Sequence, residues 1–222
     1  MNDILSLSPS EQTRSGLVRA ALRLFGAQGF DATSTRQIAG EANANIGSIA
    51  YHFGGKDGLR MAVADHIVAT IQGVTGAVLG QVDEALEAGM DSRTAQQQLS
   101  AAVERMVSFL IARPEAGDLV QFMLRELSHP SPALDRIYSG VMEPTHRRLC
   151  RIWEVATGEP AESERTKITI FTLIGQVMYF RIGREMVQRR MGWHDIGPRE
   201  AAAVTDVVRG NLDAILKNRK GG

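Results

Sequence analysis

The sequence predicts an all-α protein in two parts: a three-helix N-terminal helix-turn-helix domain over residues 11–58 and a larger C-terminal helical domain over 59–217, about nine helices in all. Three observations carry that prediction. Apolar residues recur at i, i+3, i+4 and i+7 through most of the chain. No segment alternates with the two-residue period of a strand. Breakers and caps interrupt the helical pattern at Gly29, Ser34, Asn43, Gly54-Gly55, Gly89, Pro114, the run Ser128 to Pro132, and Gly158.

Each element has its own signal. From Glu11 to Gln28, Val18, Ala21, Leu22 and Phe25 form one helical face, and Gly29 ends the helix by taking a left-handed conformation cheaply. Ser34 with Gln37 three residues later reads as a capping box for a short helix starting near Thr35 and ending near Ala42. Asn43 is one of the few non-glycine residues suited to positive φ. Asn45 then serves as N-cap for a second short helix, Ile46 to Phe53. After the Gly54-Gly55 break, Lys56 opens a long helix whose period, through Val78 and Val82, extends to the neighbourhood of Gly89. Asp91 or Ser92 caps a helix to Ala112, and Pro114 starts another. Beyond Pro132 a long helix runs to about Gly158, with Pro144 expected to kink it. The apolar helix Ile168–Arg184 and a last helix, Ala201 to Leu216, complete the chain.

Bulk properties narrow the function. The 25 Lys and Arg balance 25 Asp and Glu, and 44 % of residues are hydrophobic. Neutral net charge leaves nucleic-acid binding open, because binding depends on where charges sit. The single cysteine, Cys150, can form no internal disulfide and points to a reducing cytoplasm. "MNDILSLSPSEQTR" lacks the basic-then-apolar pattern of a signal peptide. The apolar run Ile168 to Gly183 is shorter than the roughly 20 residues of a membrane span and contains Gln176 and Arg181, so no membrane association is expected. His66, His129 and His146 lie on separate elements without a ligand pattern, so neither metal nor cofactor is expected. No paired acid/base or phosphate-loop signature suggests catalysis, and the protein is not expected to be an enzyme.

The stretch "NANIGSIAYHFGGKDGL", Asn43 to Leu59, is too polar for a helix made only for packing. In its wider setting, "TRSGLVRAALRLFGAQGFDATSTRQIAGEANANIGSIAYHFGGKDGLRMAV" closely resembles the N-terminal domain of TetR-family transcriptional repressors. Ala20-Ala21, Leu24-Phe25, Gly29-Phe30, Thr33-Ser34-Thr35, Ile38-Ala39, Ile49, Tyr51-His52-Phe53, Lys56 and Leu59 carry the resemblance. Farther on, "LREL" before Ser128-His129-Pro130, "LIG…FRIGRE" within Leu173–Glu185, and Gly192-Trp193 are similar to the CecR-like branch. Asn43 replaces a common glycine. Ala50 replaces a Tyr or Asn that reaches DNA in many relatives, so no contact is assigned there.

The resemblance implies that the second short helix lies in a major groove of double-stranded DNA, on a pseudo-palindromic operator. Gly47 would let the backbone approach the duplex, and Ser48, Tyr51 and His52 would reach base edges or phosphates. Lys56 would meet a phosphate at a helix N-terminus. Thr35, Arg36 and Asn45 complete the expected DNA-binding set. The resemblance also implies a ligand pocket among the C-terminal helices. There Phe, Met and Tyr interleave with polar groups, and the expected lining is Phe122, Arg125, Glu126, Tyr138, Met142, Gln176 and Tyr179.

The helix Ile168–Gly183 is apolar nearly all round, which one core-facing stripe would not need. A homodimer is therefore expected, with Phe171, Ile174, Gly175, Met178, Ile182, Val208, Leu212 and Ile215 at the interface. The function these readings predict is a repressor released from its operator by a small-molecule inducer that shifts the helix beginning at Lys56. A ligand-independent activator or interaction protein, and an enzyme housed in the C-terminal helices, are the alternatives.

Overall fold

A computed structural model describes residues 8–79 and 82–219, with the side chains of 77–79 left aside. The N-terminal reading over residues 1–7, the Val78 side chain and the passage through 80–81 lie outside the described residues. Among those described there are twelve α-helices, one π-helical turn and no strand. They form two compact units: residues up to Ala69 with Asp118–Tyr138, and Thr70–Gly117 with Ser139 onward. The first unit thus extends beyond the sequence boundary at 58 and takes in a segment from the middle of the chain.

The first unit begins with α1 (Pro9–Gln28), two residues before the expected start. Ser8 and Glu11 form a capping box that the sequence reading passed over. α2 (Thr35–Glu41) is capped by Ser34 and Gln37, the Gln37 N–H donating to Ser34 Oγ at 3.2 Å and the Ser34 N–H to Gln37 Oε1 at 2.8 Å. Asn43 has φ 49°, the one positive value among described non-glycine residues. α3 (Gly47–Phe53) follows. Its N-cap is Ile46 rather than Asn45, although Asn45 Oδ1 still accepts from the Gly47 N–H at 2.8 Å. Leu17, Ala21, Phe25, Ile38 and Ile49 are buried where α1, α2 and α3 pack together. α4 (Lys56–Leu79) starts in this unit, and its buried Leu59, Val63 and Ile67 recur on one face.

α7 (Ala116–Ser128) and α8 (Pro132–Ile137) belong largely to the same unit. α7 packs on α1 at Gly26, where an added Cβ would meet the Phe122 backbone nitrogen at 3.1 Å. The Phe122 ring lies 6.5 Å from that of Phe25.

The second unit centres on α6 (Ser92–Ala112), against which α9 (Glu143–Thr157), α10 (Glu164–Ile182) and α12 (Pro198–Arg219) pack. α5 (Val82–Glu87) lies on α9, and α11 (Arg184–Met191) on α10. Trp153 is its largest fully buried side chain, with the indole N–H donating to Glu159 Oε2 at 2.9 Å.

The expected run to Gly89 is described as α4 to Leu79 and α5 from Val82 to Glu87, the passage between them lying outside the described residues. Next to Pro144 the helix changes register: α8 gives way to a π-helical turn, Tyr138–Met142, and Pro144 sits in the first turn of α9. Proline offers no N–H to the carbonyl four residues back and its ring crowds that carbonyl, which a wider turn relieves. The Gly140 carbonyl receives the Gln72 amide at 3.1 Å instead. The π turn, with the separate α11 after Gly183, raises the count among the described residues above nine.

Candidate nucleic-acid interface

α3 divides sharply. Ile49 is 2 % exposed and anchors the helix, whereas Tyr51 is 82 % exposed. Gly47 and Ala50 are also exposed, and Ser48 and His52 are half-buried. The Tyr51 and His52 rings meet edge to face at 4.8 Å, which orders two polar side chains side by side. On α2, Thr35 is half-buried and Arg36 exposed, and Asn45 is exposed in the turn. None of the eight residues expected to meet DNA is buried.

The end of α3 is set by backbone geometry. Gly54 closes it in the left-handed region at φ 71°, with its N–H donating to the Ala50 carbonyl, and Gly55 has φ 138°. α4 then begins so close to α3 that a Cβ at Gly58 would run into the Phe53 carbonyl oxygen. Arg14 of α1 lies over the Phe53 ring at 5.3 Å. Lys56 Nζ lies 4.2 Å from the centroid of Phe30. The contacts made by Gly58, Phe30 and Arg14 were not legible in the sequence, since a lone Gly, Phe or Arg has no periodic signal.

Positive charge is limited here. Arg23 pairs with Glu41 at 2.7 Å, tying α1 to α2. Arg60 pairs with Glu126 at 2.7 Å.

The seven residues expected to line a ligand pocket are divided between the two units. Phe122, Arg125 and Glu126 are in the first unit and pack there: Phe122 against Phe25, Arg125 on the end of α1, and Glu126 on Arg60. Tyr138 and Met142 begin and end the π turn, both exposed. Gln176 accepts from Asn211 at 2.9 Å, and Tyr179 is exposed on α10. A groove between α10 and α12 is lined by Ile168, Thr169, Thr172, Ile215 and Arg219, with none of the seven in its wall.

The expected dimer face is also corrected in part. Val208 and Leu212 are 2 % and 1 % exposed, core residues of a unit in which α12 packs against α6, α10 and α9. Phe171, Gly175 and Ile182 are exposed, and Ile174, Met178 and Ile215 half-buried. Ile168, Phe171, Gly175, Tyr179, Ile182 and Met186 make one exposed stripe along α10 into α11. Among the described residues no group of His, Cys, Asp and Glu could hold a metal ion, and no helix is long and apolar enough to cross a membrane.

Residues 17–63 match the bacterial regulatory proteins of the tetR family, and residues 95–218 match the C-terminal domain of the HTH-type transcriptional dual regulator CecR. The chain belongs to the TetR family, in its CecR-like branch. CecR of Shigella flexneri is 30 % identical over 98 % of this chain and 97 % of its own. TcmR of Streptomyces glaucescens is 24 % identical over 75 % of this chain and 71 % of its own. The same fold recurs in AibR in complex with isovaleryl coenzyme A and operator DNA, at 14 % identity and TM-score 0.64 over 90 % of this chain and 97 % of that one. It recurs also in FadR of Bacillus subtilis in complex with stearoyl-CoA, at 14 % identity and TM-score 0.59 over 89 % and 96 %. As a TetR-family member the protein is a DNA-binding transcriptional regulator, and α2 and α3 are its helix-turn-helix.

Proposed function

We propose that this regulator is a cytoplasmic, homodimeric repressor that leaves its operator when a small molecule binds the second unit. The observation that carries the DNA-binding half is the division of α3, with Ile49 holding the helix and Tyr51, Ser48 and Gly47 offered outward. In this reading α3 enters the major groove, and Thr35, Arg36, Asn45, His52 and Lys56 fix its register on the phosphates. The exposed apolar stripe from Ile168 to Met186 supports a two-fold partner, which would bring two recognition helices to the half-sites of one operator.

Ligand response rests on continuity. α4 begins beside α3 and ends in the second unit, so a ligand that favours one position of α4 shifts the population of DNA-competent dimers. The π turn ending at Met142 is where we place that ligand, since π turns recur at functional sites. CecR is named a dual regulator, which favours activation at some promoters as a second reading.

The test is selection of bound DNA from a random pool, followed by release with candidate ligands. Isovaleryl-CoA and stearoyl-CoA, held by AibR and FadR, are the first probes. The expected result is a palindromic site with half-sites about 34–36 Å apart or a multiple of that, and dose-dependent release by a small molecule. No enriched sequence would overturn the helix-turn-helix assignment. A sequence released by nothing in a broad metabolite panel would overturn the inducer.

A further inference from the structure

Two cations share one aromatic ring in the first unit. Lys56 Nζ is 4.2 Å from the centroid of Phe30, and Arg60 Cζ is 4.5 Å from the same centroid. Each is attracted by the ring, but two positive charges at one ring repel each other. Glu126 resolves the conflict. Its Oε1 accepts from Arg60 Nε at 2.8 Å and lies 2.7 Å from Nη2. Its Oε2 accepts from the Ser131 hydroxyl at 2.5 Å. Ser131 is itself the N-cap of α8, its Oγ accepting from the Ala133 N–H at 3.1 Å. With both oxygens engaged and only 2 % of the residue exposed, the carboxylate has one orientation. Lys56 stands at the first position of α4, and among the described residues its ammonium contacts the Phe30 ring rather than a carboxylate.

We infer that Glu126 is a positioning residue for DNA binding: by neutralising Arg60 over Phe30 it lets the Lys56 ammonium stay at the start of α4, where a phosphate can claim it. The inference rests on the reading of Lys56 as a phosphate contact. A pair that merely tied α7 to α4 would change stability and leave the electrostatics of binding alone.

The experiment is a salt titration of operator binding by the full chain, with thermal unfolding alongside. Glu126→Gln should weaken binding roughly tenfold per half-site, the scale of one charge-assisted contact, and lower the salt slope by about 2 per dimer. In a Lys56→Ala background the same substitution should cost nothing further, since coupled sites are not additive. Adding Arg60→Met to Glu126→Gln should restore binding, because the repelling cation is gone. That double variant buries no lone charge, so its near-parental binding is still required if Glu126→Gln alone is unstable. Equal losses from Glu126→Gln with and without Lys56→Ala, or no restoration by Arg60→Met, would overturn the inference. If Lys56→Ala alone leaves the salt slope unchanged while the operator is still bound, the Lys56 contact fails and takes this inference with it, leaving the helix-turn-helix assignment standing.

Discussion

Gly58 lies against the carbonyl oxygen of Phe53 with no room for a side chain between them. α3 and α4 can follow one another this tightly only because position 58 has no Cβ. Gly58→Ala must push backbone rather than a flexible side-chain end, so it should cost at least ~1–3 kcal/mol. Thermal unfolding should fall by several degrees, and operator affinity should fall with it, because α3 loses its seat. An alanine variant with parental melting and parental binding would remove the junction from the account.

Arg125 caps the end of α1. Its Nη2 donates to the Ala27 carbonyl at 3.0 Å and its Nε to the Gly26 carbonyl at 3.3 Å, a cation on the negative end of a helix. Arg125→Ala should therefore destabilise the first unit by ~1–2 kcal/mol and weaken DNA binding. The sequence reading of Arg125 as a pocket residue implies the reverse, a changed ligand response with operator affinity intact. Operator titrations of Arg125→Ala and Arg125→Lys decide between them, with lysine expected to recover part of the loss.

Gln72 and Pro144 should be coupled through Gly140. Gln72→Ala removes the donor to the Gly140 carbonyl and should cost ~1 kcal/mol. Pro144→Ala supplies a backbone N–H that can serve the same carbonyl, so Gln72→Ala should cost less in that background. Denaturant unfolding of the four proteins in the cycle measures the coupling, and strict additivity would mean the carbonyl is satisfied by water.

The apolar stripe separates surface from core. Ile168→Glu and Ile182→Glu, at residues 54 % and 53 % exposed, should leave the fold intact and convert a dimer into a monomer. Leu212→Glu should instead unfold the protein, since it buries a lone charge. Light scattering and circular dichroism on the three variants check both statements.

Cys150 should be inert in the folded protein. Burial, helped by the Glu162 charge, pushes its thiol up to about 11 from an ordinary value of 9.0. A raised folded pKa stabilises the native state fully below pH 9. That contribution is lost as pH rises through 11, because the unfolded chain gives up its proton first. Cys150→Ser should reduce the fall in stability between pH 9 and 11, and labelling by a thiol reagent at pH 8 should proceed only at the rate of unfolding.

The sequence by itself determined what local chemistry controls. Apolar spacing made α1, α6 and α10 helices, Ser34 and Gln37 capped α2, Asn43 took the positive φ of the turn, and Gly54 closed α3. The polar character of α3 was legible because its polar residues stand in one short run beside one buried Ile49. Only the tertiary structure decided which partner each helix face meets. The face of α7 bearing Phe122, Arg125 and Glu126 reads the same whether it lines a cavity or packs on other helices, and it packs on α1 and on Arg60 of α4. Val208 and Leu212 fit an interface or a core equally well, and the packing of their own unit buries them. Pro144 declared a disruption but not its form, a π turn whose Gly140 carbonyl is served by Gln72 from α4. Periodicity specifies that a face must be covered, and long-range packing alone selects what covers it.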